Sequence, residues 1–298
     1  MRTPLALAAA SEPCPSPWPG KLAALWVPSM SAKHSFGRSW RGSRRFGNIG
    51  VHRSRSDRDG PVILYGWHPV TAALGNPARR IRRLLATENA ARRLTEEGIT
   101  PPMAPELVRP DAIAARLSPD AVHQGLLAEA DPLPSPGVED LAAAGIVLVL
   151  DQITDPHNVG AILRTAAAFS VAAIVTTARH SPEATGVLAK SASGALEWVP
   201  IVTVQNLARA LSALKERGFL VVGLDSAAPD DIAAIALPSP LALVLGAEGK
   251  GLRQGTRAQC DRLARLDLPG AIKSLNVSNA AALALYIASR AAAQISAS

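Results

Sequence analysis

Cysteine is almost missing from this chain: Cys14 and Cys260 are the only two in 298 residues. Two isolated thiols build no disulfide framework and no metal site, which fits a reducing cytosol. The six histidines do not fall at ligand spacing either, so no metal is expected. Phe, Trp and Tyr make up 4% of residues, too few for aromatic platforms to dominate the recognition of any ligand that stacks. The longest apolar run, Ala280 to Ala288, falls far short of the roughly 20 residues that cross a bilayer, and no membrane association is expected. No internal repeat is visible. What is abundant is apolar residue, 48% of a chain long enough for two ordinary domains, and the expectation is a globular cytoplasmic protein with a sizeable core.

Acidic residues are scarce in one place only. Residues 1–60 carry 10 Lys and Arg against 3 Asp and Glu, whereas residues 61–298 carry 21 of each, so the whole net charge of +7 belongs to the first 60 residues. Their second half, SFGRSWRGSRRFGNIGVHRSRSDRDG, is rich in Arg, Ser and Gly and lacks apolar periodicity; a disordered basic tail is expected. Three readings stand side by side: electrostatic attraction to phosphates, a dispensable start with Met30 as a second initiation point, or an organelle transit peptide. Residues 1–29 do not look like a secretory signal.

A folded part opens with VILYGWHPVTAAL (62–74). NPARRIRRLLATENAARRL (76–94) follows, with six Arg around a short strand-like LLAT and a helix from near Glu88. PPMAPELVRP and a short helix, DAIAARL, lead to an expected strand, VHQGLLAEA (122–130). Residues 61–130 thus form a small α/β domain, and the four breakers of DPLPSPGVED place a linker at 131–144. From 145 to 298 apolar, β-branched runs alternate with helices: strands at 145–151, 171–177, 198–204, 219–225, 241–246 and 263–268, helices at 159–169, 183–193, 206–217, 251–261 and 277–294. Such runs predict an α/β fold with a mostly parallel sheet covered on both faces. Ligands of such sheets bind beyond the carboxyl ends of the strands, so the loops there are the places to search.

Three of those loops stand out. In DQITDPHNVGAILRTAAAF (151–169), Asn158 can cap a helix whose free amides attract an anion, and Arg164 adds a forked donor; a capped helix with a surface Arg explains the same residues. In GAEGKGL (246–252), three glycines surround Glu248 and Lys250, which permits close backbone approach to a ligand. Its order, G-x-x-G-x-G on a late strand with Lys250 before Gly251, fits neither the dinucleotide fingerprint nor the P-loop. LDLPGAIKSLNVSN (266–279) puts Ser274, Asn276, Ser278 and Asn279 at the start of an Ala-rich helix. Helix capping explains one or two of them.

Taken together, Asn158-x-Gly160-x-x-x-Arg164, Gly246-Ala-Glu248-Gly-x-Gly251 and Gly270-x-x-x-Ser274-Leu275-Asn276-Val277-Ser278 resemble the three motifs of the SpoU (TrmH) family of RNA ribose 2′-O-methyltransferases, over essentially all of 146–295. Upstream, YGWHPVTAAL and AVHQGLLAEA resemble the ribosomal-protein-like substrate domain of the subgroup that methylates guanosine in 23S rRNA. One departure is visible: where the third motif usually reads Ile-Pro-Met, this chain has Leu266-Asp267-Leu268, without the proline.

The resemblance implies a C-terminal trefoil knot, S-adenosyl-L-methionine as cofactor and a homodimer packed through the C-terminal helix, although an Ala-rich helix buried within one chain would look the same. It further implies cofactor contacts at Gly246, Leu266, Leu268 and Leu275, with Arg164, Asn158, Glu248, Ser274 and Asn276 in the catalytic region. Arg164 is expected to be essential, as a stabiliser of the developing alkoxide, as a clamp on the adjacent phosphate, or as a general base. For Glu248, Ser274 and Asn276, support of the loops and direct catalysis both remain open. RNA binding is implied for the tail and the N-terminal domain, where Arg79, Arg80, Arg82 and Arg83, with Arg92 and Arg93, are expected to contact phosphates; a solvated helix face is the alternative. A tRNA ribose 2′-O-methyltransferase, a non-catalytic RNA-binding or ribosome-assembly protein and a nicotinamide oxidoreductase are the other functions weighed, the last lacking its glycine fingerprint.

Overall fold

The computed structural model describes residues 60–178 and 186–297. The expected basic tail, and the beginning of the helix expected at 183–193, lie outside the described residues. The N-terminal module runs β1 (Val62–Tyr65), α1 (Trp67–Gly75), β2 (Ile81–Ala86), α2 (Glu88–Glu96), β3 (Glu106–Leu107), α3 (Pro110–Ala114) and β4 (Leu126–Ala130). Its sheet has the order β1-β4-β2-β3, with β4 antiparallel to both neighbours. Leu64, Leu84 and Leu126 meet Trp67, Val70 and Leu94 in its core. The strand expected at 122–130 starts only at Leu126. Gln124, at φ 52°, turns the chain in the left-handed region, where a strand cannot run.

The remainder builds β5 (Ile146–Asp151), α4 (Pro156–Ala168), β6 (Ala173–Thr177), α5 (Gly186–Ala192), β7 (Ile201–Val204), α6 (Leu207–Glu216), β8 (Leu220–Leu224), β9 (Asp230–Asp231), β10 (Leu241–Gly246), α7 (Gln254–Arg257), β11 (Arg262–Arg265) and α8 (Val277–Ala297). All strand pairs in its seven-stranded sheet are parallel, in the order β7-β6-β5-β10-β8-β11-β9. The two central strands show why the apolar runs are unbroken. Successive side chains point to opposite faces, so Leu148, Leu150, Leu243 and Leu245 enter the core under α4, α5 and α8. Val147, Val149, Ala242 and Val244 enter the one under α6. Each such Leu or Val contributes about 1.5–3 kcal/mol by leaving water.

Two expected elements are shortened for visible reasons. The strand at 198–204 begins at Ile201, because residues 195–197 coil into a 3-10 turn. The helix at 251–261 is a single turn, Gln254–Arg257; Gly251 at φ 63° and the amide of Arg253, donated to Asp151, hold the preceding residues out of helix. The expected linker is seated on the larger sheet: Val138 and Leu141 lie in its core, and Ser135 accepts from the Thr203 amide and donates to the Ile201 carbonyl.

Where the two modules touch, Ala189 and Leu196 pack against the N-terminal core, and a buried ion pair lies beside them. Arg79 donates through Nε and Nη2 to Glu197, at 2.6 Å for the shortest contact, and through Nη1 to the Asp131 carbonyl at 2.8 Å. The side chains of Arg79 and Glu197 are 4% and 3% exposed. Arg79 is therefore not a phosphate-facing residue, contrary to the sequence expectation: its donors are consumed inside the protein. On the other side of the contact, Lys190 on α5 donates to the Val122 carbonyl and the Gln124 side chain, at 3.0 and 3.1 Å.

Candidate functional site

The central strands end together, Asp151 opposite Gly246. Asp151 is fully buried, and both of its oxygens are used: Oδ1 accepts from Arg253 Nε at 2.6 Å and Oδ2 from the Arg253 amide at 3.0 Å. This pair ties the loop after β10 to the end of β5. Sequence reasoning assigned neither residue a role. The available signal was an acid closing an otherwise apolar strand, a position that burial makes costly unless a cation answers it.

The loop after β10 folds back on itself. Gly251 N–H donates to the Ala247 carbonyl at 2.8 Å, and a Cβ on Gly246 would sit 2.2 Å from the Gly251 carbonyl carbon. Only glycine fits there, since the obstruction is backbone. Gly246→Ala is expected to push the 247–252 loop outward and cost about 1–3 kcal/mol, as overpacking does, read as a lower denaturant midpoint; an unchanged midpoint would show that the loop yields freely.

In the first loop the cap differs from the expectation. Asp155 caps α4 by accepting from the His157 amide at 3.0 Å, with Pro156 at the first helical position, where no N–H is needed. Asn158 is thereby moved into the first turn and freed for another contact: its Oδ1 accepts from Asn276 Nδ2 at 2.9 Å. Two residues on, Gly160 lets α4 close on α5, for a Cβ there would lie 2.3 Å from Ser191 Cβ and 2.9 Å from the Ala192 amide nitrogen.

At the third loop, Asn276 caps α8. Its Oδ1 accepts from the Ser278 amide at 2.8 Å and its carbonyl from the Ala280 amide. Glu248 reaches across to accept from the Val277 amide at 3.1 Å, answering a second free donor of the same helix end. The SLNVSN stretch thus caps its helix through one residue, Asn276, which also spans to Asn158. Ser274 is exposed and Leu275 half-buried. Leu266 packs against the core, and Leu268, half-buried, gives its carbonyl to Lys273 Nζ at 2.5 Å.

Asn158, Glu248 and Asn276 therefore meet at the ends of the strands. Arg164 does not join them. It is exposed on α4, six residues beyond Asn158, which on a regular helix is ~9 Å along the axis and well round the cylinder. No described residue pairs with its guanidinium.

The remaining expected phosphate contacts, on and just before β2, fare differently. Arg83 makes a two-pronged pair with Glu106, at 2.8 and 2.7 Å, and this pair holds the Glu106 carboxyl below its ordinary range. Arg82 is bonded to Asp131. Arg80, whose side chain is 84% exposed and 3.9 Å from Asp131, is the freest of the four. On α2, Arg92 and Arg93 pair with Glu96 and Glu97 one turn on. Near α7, burial first, and neighbouring Asp261 next, push the Cys260 thiol up to about 11, leaving it inert at neutral pH.

Comparison with known proteins matches the chain in two segments. The model of the SpoU rRNA Methylase family matches residues 145–286, and that for RNA 2′-O ribose methyltransferase substrate binding matches residues 63–136. A 23S rRNA (guanosine-2′-O-)-methyltransferase RlmB of Pseudomonas putida is 39% identical over 238 residues, 76% of this chain and 95% of that one. The RlmB of Vibrio cholerae is 38% identical over 243 residues, 76% and 96% of the two chains. Among solved structures, a putative RNA methyltransferase of the TrmH family from Porphyromonas gingivalis superposes with a TM-score of 0.66 at 28% identity, over 80% of this chain and 94% of the other. The SpoU methyltransferase AviRb from Streptomyces viridochromogenes, in complex with the cofactor AdoMet, shares the fold, with a TM-score of 0.69 at 23% identity over 83% and 95% of the chains.

Proposed function

Because the chain belongs to the SpoU rRNA methylase family, we propose that it is an enzyme that transfers the methyl group of S-adenosyl-L-methionine to the ribose 2′-OH of a guanosine in 23S rRNA, in the cytoplasm. The reading is carried by the meeting of Asn158, Glu248 and Asn276 where the central strands end. The match of 63–136 to a substrate-binding model favours RNA as the substrate, and the names of the relatives favour rRNA.

The cofactor fits what the chain offers. Gly246 lets the 247–252 loop close against the end of β10, Glu248 is already answered by an amide, and the backbone of Leu275 makes no hydrogen bond to a described residue. Backbone groups of Gly246, Leu266, Leu268 and Leu275 would hold it. When bound, it supplies an electrophilic methyl carbon on a sulfonium. The chain must then fix the 2′-OH in line with that carbon and accommodate the loss of its proton. Asn158 and Asn276, each bonded to the other, hold the two loops at a set distance, a positioning role. Arg164 stabilises the developing alkoxide or clamps the neighbouring phosphate; a guanidinium, charged near neutrality, is a poor proton acceptor.

A homodimer and the trefoil knot belong to the same proposal. Leu283 and Tyr286, exposed at 42% and 55%, lie on α8, where Tyr286 and Ile287 border a depression of about 200 Å³ with Ile232, Ile235 and Leu237; a second copy would cover this surface. Supporting the knot is the bond from the Val277 amide to Glu248, which pins the returning chain to the loop after β10.

The test is transfer of labelled methyl from S-adenosyl-L-methionine to separated large-subunit rRNA and tRNA, with the product mapped as a phosphodiester resistant to alkali and the mass of the enzyme read by light scattering. One resistant site in rRNA, made by a dimer, is expected. Label in tRNA alone would overturn the substrate, and no cofactor binding would overturn the enzyme.

A further inference from the structure

The N-terminal module carries an open cavity of about 300 Å³ between α2 and the 122–125 loop, lined among others by Trp67, Asn89, Arg93, Pro110, His123 and Gln124. No residue lining it is acidic. One wall is a platform: the Arg93 guanidinium carbon lies 3.8 Å from the centroid of the buried Trp67 ring, and Glu97 holds the guanidinium from outside at 2.7 Å. Opposite stands a loop fixed by three hydrogen bonds. Gln124 Oε1 accepts from the Trp67 amide at 2.9 Å and from Lys190 Nζ at 3.1 Å, and Lys190 also holds the Val122 carbonyl. These contacts keep Gln124 in its left-handed backbone, a strained conformation for a side-chain-bearing residue.

The same bonds decide which polar atoms are left over. With its oxygen occupied twice, Gln124 keeps its amide N–H groups without a described partner. The Gly125 amide donates to His123 Nδ1 at 3.1 Å, so the ring proton sits on Nε2, a second donor without a described partner. The acceptors nearby are used: Asn89 Oδ1 takes a bond from Arg92, and Thr87 Oγ1 takes one from the Ala90 amide. A ligand suited to this cavity is flat enough for the Arg93 platform and brings its own acceptors. A nucleobase with its ring nitrogens and carbonyls has both properties, and single-stranded bases are bound in this way, stacked on guanidinium planes and hydrogen-bonded along an edge. The volume lies at the small end of ligand sites, room for one nucleotide and not for a duplex.

We propose that this cavity seats one unpaired nucleotide of the RNA substrate, its base on the Arg93–Trp67 platform and its acceptor edge toward His123 and Gln124. The proposal deepens the function given above and rests on it for RNA as the partner. It adds one point of sequence or bulge discrimination to a surface that otherwise meets RNA by charge and shape.

The test uses the full chain and short fluorescent RNA hairpins: one fully paired, and four that differ from it by a single bulged guanosine, adenosine, cytidine or uridine. Binding is read by anisotropy, and methyl transfer to 23S rRNA is measured on the same preparations. The wild-type chain is expected to prefer at least one bulged hairpin by about tenfold, the effect of stacking one base. Asn89→Trp and, from the facing wall, Pro110→Trp fill the cavity from exposed positions; both are expected to erase the preference and raise KM for 23S rRNA by a similar factor at unchanged kcat. No preference in the wild type, or a preference that survives both substitutions in folded protein, would overturn the proposal. A bulge preference without methyl transfer would overturn the enzymatic reading and leave the nucleotide site standing.

Discussion

Arg164→Ala is expected to lower kcat for methylation of 23S rRNA by about 10²- to 10⁴-fold, the range spanned by loss of a positioned acid–base or charge-stabilising group, with little change in the denaturation midpoint. The second half follows from the structure: Arg164 is exposed, pairs with no described residue and supports no core contact. Binding of S-adenosyl-L-methionine alone should also be unaffected, because the backbone groups assigned to it lie on other loops. A fall in kcat of less than about tenfold would remove Arg164 from the reaction, since even one lost charge-assisted hydrogen bond predicts more than that.

Arg164→Lys separates the roles that remain. A guanidinium presents a planar fork, an ammonium a single point of charge on a flexible stem. If the residue stabilises the alkoxide or clamps a phosphate, Lys should recover a minor part of the rate and leave the pH profile where it was. If the residue removes the proton, Lys, with an ordinary pKa about two units or more below that of Arg, should recover activity with an onset shifted to lower pH. The two outcomes differ in the direction of one curve and do not depend on the absolute rate.

How much of this was legible without coordinates differs from residue to residue. The parallel sheet was, because strands buried on both faces must be apolar at every position, as Val147 to Leu150 and Leu241 to Leu245 are. The loops carrying Asn158, Glu248 and Asn276 were marked by polar and glycine residues directly after those strands. Their connections were not legible. That Asn158 would accept from Asn276, and that Glu248 would find the Val277 amide, are facts about separations of 118 and 29 residues in sequence. The arginines show the limit most clearly. In sequence, Arg79, Arg80, Arg82 and Arg83 form one basic cluster. In space one is buried, two are answered by Asp131 and Glu106, and Arg80 is the most exposed. The acids that separate them come from elsewhere in the chain, so composition in a window could not reveal the pairing.

The largest effect on stability is expected from Arg79→Ala, a loss of about 3–5 kcal/mol, because the substitution strands the Glu197 carboxylate with its partner gone. Glu197 is 5% exposed, and water cannot take over from the guanidinium without opening the contact between the two modules. Asn76, whose Nδ2 donates to Glu197 Oε2 at 2.8 Å, supplies one neutral hydrogen bond in its place and does not balance the charge. The pair itself is not what stabilises the fold: desolvating two ions costs about as much as their attraction returns, so Arg79→Met with Glu197→Leu should come within about 1–2 kcal/mol of the wild type. A double variant as unstable as Arg79→Ala would show instead that the hydrogen bonds from Arg79 to Glu197 and to the Asp131 carbonyl carry the contact. In Arg79→Ala, the part of the chain that loosens first should be the junction of the modules, read by hydrogen exchange as lost protection near Asp131 and Glu197 while the central strands β5 and β10 keep theirs. Methyl transfer at low temperature should then survive at saturating RNA with KM raised, since the loops proposed for catalysis belong to the larger sheet and the module matching the substrate-binding family is held to it in part through this contact.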